Sequence, residues 1–145
     1  MIIPDVNILL YAYDTGAPLH AVMLAWWSRT LSGSEPVGLA WPVLLGFIRI
    51  STNPRASVRP ARIDDAIGRV RSWMEAPAAE MIWPGVRHAD ILFRLLSKTG
   101  AAGNLTTDAH LAALAIENNA DVATADYDFA RFPDVRWFIP GETRQ

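Results

Sequence analysis

A chain of 145 residues, 51% hydrophobic and 19% charged, carries enough apolar material for one core and too little charge for a disordered segment. A formal net charge of -2 argues against a protein that holds nucleic acid by overall charge, so any such contact must be local. The lack of cysteine excludes disulfides, thiol nucleophiles and cysteine-based zinc sites, and fits a cytoplasmic home.

Met1 to Pro4 reads as a strand that stops at Asp5. No basic region followed by an apolar one is present there, so a signal peptide is not expected. Asn7 to Tyr13 predicts a short helix and Pro18 to Leu31 a second. Pro36 to Ala40 is a candidate strand, and a helix starts near Pro42, a favourable first-turn proline. The apolar run Leu39 to Ile48 is too short to span a bilayer, so no membrane partner is expected.

Asn53-Pro54 breaks that helix. Pro60 to Glu75 predicts an amphipathic helix, with Ile63, Ile67, Val70, Trp73 and Met74 as its apolar stripe. Glu80 to Trp83 is a brief strand. Val86 to Lys98 is a further amphipathic helix (Ile91, Leu92, Leu95, Leu96), closed by Gly100. Asn104 to Asn118 is the last helix, with Asn104 as its cap. Asp121 to Thr124 and Val135 to Phe138 complete the strands. There is no internal repeat and no linker, so residues 1–145 are expected to form one domain.

Strands separated by helices imply a mainly parallel sheet of four to five strands with helices on both sides. In such sheets ligands gather at the carboxyl ends of the strands. Asp5 follows the first strand, Asp126 follows the strand ending at Thr124, and Asp108 lies in the first turns of the helix from Asn104. Three acids far apart in sequence are thus candidates for one sheet edge. Each also has a plainer reading: Asp5 as a helix cap, Asp108 favoured by its helix dipole, Asp126 and Asp128 as turn formers.

Carboxylates brought together repel unless protons or a cation neutralise them. A hard divalent ion with oxygen ligands, Mg²⁺ or Mn²⁺, suits such a cluster and can activate water against a phosphodiester. Neither G-x-x-x-x-G-K-[ST] nor G-x-G-x-x-G is present, which argues against nucleotide-triphosphate and dinucleotide chemistry. His20, His88 and His110 lack metal-ligand spacing and read as surface or core histidines. Covalent phosphatase chemistry on Asp5 would want a second aspartate two residues on, where Asn7 stands.

Four blocks carry a resemblance. Asp5-Val6-Asn7, Asn104-Leu105-Thr106-Thr107-Asp108-Ala109-His110-Leu111-Ala112, and Thr124-Ala125-Asp126-Tyr127-Asp128-Phe129 resemble the sequence blocks of PIN-domain proteins. Trp41-Pro42-Val43-Leu44-Leu45-Gly46-Phe47-Ile48-Arg49, with Thr52-Asn53-Pro54-Arg55, is similar to the bacterial VapC toxin branch. The resemblance implies a PIN-like α/β/α sandwich and a Mg²⁺- or Mn²⁺-dependent endoribonuclease acting on structured cellular RNA, such as transfer or ribosomal RNA. It also implies a homodimer and a cognate VapB-type antitoxin lying over the active site. By position, Asp5 and Asp108 are the implied metal ligands, Asp126 the third catalytic acid, and Asn7 and Thr107 supporting residues. Gly46 departs from the pattern, standing where many PIN nucleases carry glutamate. That leaves a second reading open, a catalytically weak or inactive module that acts by binding RNA or protein.

Two further features stand outside the blocks. Arg49, Arg55, Arg59, Arg62, Arg69 and Arg71 face only Asp64 and Asp65 in the same stretch, either as a solvated face or as a rim for phosphates. Trp26 and Trp27 are adjacent on a predicted helix and point about 100° apart, so one of them is a candidate partner contact.

Overall fold

The computed structural model describes residues 1–100, 103 and 105–142. Five short strands form one sheet: β1 (Ile2–Pro4), β2 (Val37–Leu39), β3 (Ala79–Met81), β4 (Asp121–Ala123) and β5 (Arg136–Phe138). Their order is β3-β2-β1-β4-β5, and every neighbouring pair is parallel. Six helices connect them: α1 (Val6–Tyr13), α2 (His20–Leu31), α3 (Trp41–Ser51), α4 (Ile63–Met74), α5 (His88–Thr99) and α6 (Leu105–Glu117).

The strand order dictates the layers. From β1 the chain steps twice to one side, through α1–α2 and α3–α4, then crosses back with α5–α6 to place β4 on the other side of β1. Parallel crossovers are right-handed, so the reversal puts α5 and α6 on the opposite face from α1–α4. The packing agrees: α1 contacts α2 and α3, α3 contacts α4, and α5 contacts α6. The result is a three-layer α/β/α sandwich. Its strand order reverses between β1 and β4, where open α/β sheets leave a crevice beyond the strand ends.

The predicted elements occur in the predicted order, with ends shifted by a few residues. α2 starts at His20 and α4 at Ile63, later than Pro18 and Pro60. Pro42 lies in the first turn of α3, where its missing N–H costs nothing. Gly100 ends α5 in the left-handed region at φ 63°, which a side chain would disfavour. The expected cap at Asn104 lies outside the described residues. A 3₁₀ helix, Tyr127–Arg131, occupies the region read only as a turn.

The apolar stripe of α4 differs from expectation. Ala66, Val70 and Trp73 are buried, whereas Ile63, Ile67 and Met74 are exposed. With about 100° between residues, Ala66 and Trp73 lie on one side of Val70, and Ile67 and Met74 on the other. The core takes the first flank. Ile63 is in the first turn, before the rest of the molecule covers the stripe.

The two tryptophans reach different depths. Trp27 is buried against Trp73 (ring centroids 5.9 Å), and Trp73 meets Phe47 at 4.7 Å. Trp26 is half-buried, stacked on Trp27 at 6.1 Å and edge-on to Phe138 at 5.9 Å. Neighbouring rings on one helix both reach the interior because β5 extends beneath the second. Among the described residues, no helix is long and apolar enough to cross a membrane.

Candidate metal centre at the carboxyl edge of the sheet

Pro4 and Ala123 are partners in the β1–β4 ladder, so the next residues, Asp5 and Thr124, leave the sheet side by side. The Asp5 amide donates to the Ala123 carbonyl at 2.8 Å and fixes that exit. Asp5 then caps α1. Its Oδ1 accepts from the Val6 amide at 2.6 Å, and its Oδ2 accepts from Asn7 Nδ2 at 2.7 Å and from the Thr124 hydroxyl at 2.8 Å. The cap reading of Asp5 is therefore correct. It is also compatible with ligation, because each carboxylate oxygen accepts about two bonds and Oδ1 has one in use.

Thr124 is the hub of this network and is fully buried. Its hydroxyl donates to Asp5, accepts from Asn7 Nδ2 at 3.1 Å and accepts from the Asp126 amide at 3.0 Å. Asn7 completes the lattice by accepting from the Ala125 amide at 3.0 Å. Asp126 caps the 3₁₀ helix, its Oδ1 taking the Asp128 amide at 2.8 Å and leaving Oδ2 open. Sequence reasoning missed Thr124 as a site residue. Its signal was a hydroxyl between a strand and the turn-forming Asp126, a setting where such groups bond local amides.

Asp108 comes from the first turn of α6 and is half-buried. Burial, then the charges of Asp5, Asp126 and Asp128, push its carboxyl up to about 6. Asp5 is also raised, by burial above all and by Asp126, against the lowering effect of its Thr124, Val6 and Asn7 hydrogen bonds. No basic group figures among the influences on either carboxyl. Asp128 turns outward to Arg131, whose Nε donates to it at 3.1 Å. The structure thus brings Asp5, Asn7, Asp108 and Asp126 together. Thr107 is exposed, and among the described residues no hydrogen bond joins it to the carboxylates.

Among the described residues, no three acids or histidines stand close enough to hold one ion between them. Mg²⁺ needs no such cage: it is held by one or two carboxylates and keeps several waters. The donor set is oxygen only, with excess negative charge and no internal cation, and so fits a hard divalent ion. Glu35 is remote, its carboxylate 3.5 Å from the Met1 amino group at the opposite edge of the sheet.

Gly46 is buried in α3, where an added Cβ would stand 3.1 Å from Val6 Cγ2. The missing side chain thus lets α3 approach α1 beside Asp5. This is a packing role at the position where glutamate was the expected residue.

The PIN domain profile matches residues 2–135. Ribonuclease VapC33 of Mycobacterium tuberculosis is 47% identical over 140 residues, spanning 97% of this chain and 98% of its own. The chain belongs to the PIN-domain family, in its VapC branch. Ribonuclease VapC37 of the same organism is 46% identical over 97% of both chains. Among solved structures, VapBC-1 from nontypeable Haemophilus influenzae has a TM-score of 0.69 at 20% identity, covering 98% of this chain and 100% of that one. M. tuberculosis VapC20, described as a sarcin-ricin loop cleaving toxin, has a TM-score of 0.68 at 16% identity, with 94% and 99% covered. These structures share the PIN α/β/α fold with this chain, and PIN-domain VapC nucleases generally work with a divalent metal.

Proposed function

We propose that this VapC-type PIN domain is a metal-dependent endoribonuclease toxin. It cleaves structured cellular RNA, transfer or ribosomal, inhibits translation, and is neutralised by a VapB-type antitoxin. The observation that carries the reading is the uncompensated carboxylate cluster at the β1–β4 edge, with Asp5 clamped by three donors and Asp108 pushed up to about 6. The ribonuclease names of relatives at 46–47% identity support the same activity.

Asp5 and Asp108 would hold the ion, Mg²⁺ or Mn²⁺, with Asp126 as the third acid. The bound ion would supply Lewis-acid chemistry, lowering the pKa of a water and offsetting charge on the phosphodiester. Thr124 and Asn7 orient the Asp5 carboxylate, as partners of metal ligands do. Thr107, exposed beside Asp108 on α6, is the further supporting residue of the reading. A cytoplasmic location follows from the substrate. A homodimer and a single domain over residues 1–145 complete the reading.

The test is cleavage of purified total transfer RNA and ribosomal RNA by the antitoxin-free protein. It is run with Mg²⁺ or Mn²⁺, with chelator, and beside an Asp5→Asn variant. Discrete fragments are expected that vanish with chelator and fall at least on the order of a hundred-fold with Asp5→Asn, since even partners of ligands cost 10–100-fold. Fragments that survive the substitution would reject Asp5 as a ligand. No fragments from folded protein would shift the reading to an RNA- or protein-binding module.

A further inference from the structure

Away from the carboxylates, the ends of α1 and α3 and the chain after α3 enclose a cavity of about 400 Å³. That lies within the range of sites for a small ligand or a single nucleotide. Leu10 and Ile50 give it apolar walls, Tyr11 and Tyr13 add aromatic rings, and Arg59 and Asp14 supply charge. Arg59 and Asp14 share the lining yet form no ion pair. Tyr13 carries a second arginine, with the Arg69 guanidinium 5.7 Å from its ring centroid.

The surrounding charge is unusual for this chain. Residues 49–71 hold six arginines against two aspartates, a net +4 in a protein whose total is -2. All six arginines are exposed. Among the described residues, none takes part in an ion pair, whereas Arg131 and Arg136 are both paired with aspartates. An aromatic-lined hollow with Arg59 in its wall and Arg69 on the Tyr13 ring has the chemistry that holds unpaired nucleotides: phosphates on arginine, a base on a ring face.

Position adds to this. Asp5 begins α1 and Tyr13 ends it, so the hollow lies about 12 Å along the helix from the carboxylates at 1.5 Å per residue. An unpaired strand a few nucleotides long covers that distance. We propose that this cavity receives an unpaired base of the substrate RNA, with the flanking phosphates on Arg59 and Arg69 and on Arg55 and Arg62, which flank Arg59 in sequence. The site deepens the ribonuclease reading and takes its biological meaning from it. It would let a locally basic surface recruit RNA to an acidic centre that repels it.

The experiment is a binding titration of the full chain in chelator, so that cleavage plays no part. The probes are a fluorescein-labelled single-stranded RNA oligonucleotide of mixed sequence and purified total transfer RNA. Arg59→Glu is expected to weaken binding about tenfold and to flatten the dependence of log K on log salt by about 0.7, the value for one phosphate on a single strand. Tyr11→Ala is expected to weaken binding roughly tenfold with no change of slope, and Tyr11→Phe to leave it intact. The proposal is overturned if folded Arg59→Glu and Tyr11→Ala proteins bind both RNAs like the parent, or if the parent binds neither at low salt. It is equally overturned if the variants keep RNA and lose only a VapB-type antitoxin, since the cavity then belongs to a protein partner. Cavity-dependent binding here, with no cleavage by the same protein when Mg²⁺ or Mn²⁺ is supplied, would sink the nuclease reading and leave the cavity standing.

Discussion

Helix α6 serves two polar clusters, and the molecule treats them in opposite ways. At its first turn, Asp108 joins Asp5 and Asp126 in a group of like charges with no cation to balance them. Further along, His110 and Glu117 meet His88 of α5 in a closed chain. The Glu117 carboxylate accepts from His88 Nδ1 at 2.8 Å and from the Gly85 amide at 3.2 Å, and His88 Nε2 and His110 Nδ1 share a hydrogen bond at 2.9 Å. Gly85 approaches so closely that a Cβ there would stand 2.7 Å from Glu117 Oε1. Burial, then His88 beside it, pushes the His110 imidazole below its usual range, so this ring rests neutral. The second cluster satisfies itself and braces α5 on α6. The first is left needing something from outside, the mark of a site built to bind rather than to stabilise.

Substitutions in the two clusters should therefore fail differently. After Asp5→Asn, the largest effect is expected from Thr124→Val, which keeps shape but removes the hydroxyl shared by Asp5, Asn7 and the Asp126 amide. Cleavage of total transfer RNA should fall about 10–100-fold, as for other groups that orient metal ligands. Near-parental rates from this variant would remove Thr124 from the site. Next comes Glu117→Ala, which strips the acceptor from His88 and Gly85. Denaturant unfolding should report a loss of about 2 kcal/mol, the cost of leaving buried donors unpaired. Cleavage per folded molecule should hardly change. A large drop in activity at unchanged stability would dissolve the distinction between the clusters.

The same contrast explains what the sequence disclosed. Asp5 and Asp126 were legible because strands end where hydrophobic runs end, and a parallel sheet places those ends on one edge. Asp108 was legible from the helix start. Thr124 was not, because a threonine after Val122-Ala123 reads as one more β-favouring residue. The His88–His110–Glu117 chain was not, because two of its links cross between helices, and no local period encodes which helices pack together. α4 shows the same limit: Ile67 and Ala66 sit at equally good helical spacing from Val70, and only the neighbouring aromatic cluster of Trp27, Phe47 and Trp73 selects the alanine side.

The smallest effect tests the charge imbalance itself. The folded protein holds Asp108 at about 6 against an ordinary 3.8, so ionising it works against folding. The neutral carboxyl's relative contribution is fully present below about pH 4 and is lost as pH rises through 6. Asp108→Asn stays neutral throughout and escapes that loss. In chelator at pH 7 the variant should be the more stable protein by on the order of 1 kcal/mol, a value discounted because the group is half-exposed to solvent. Thermal unfolding of both proteins from pH 4 to pH 7.5 reads the gap directly, and it should close toward the acid end. Mg²⁺ at pH 7 should raise the parent's Tm and narrow the gap, because an ion that binds the folded state takes over the neutralising role of the proton. A gap that ignores both pH and Mg²⁺ would mean that the carboxylates do not share a field, and the acidic edge would then be three separate helix and turn caps.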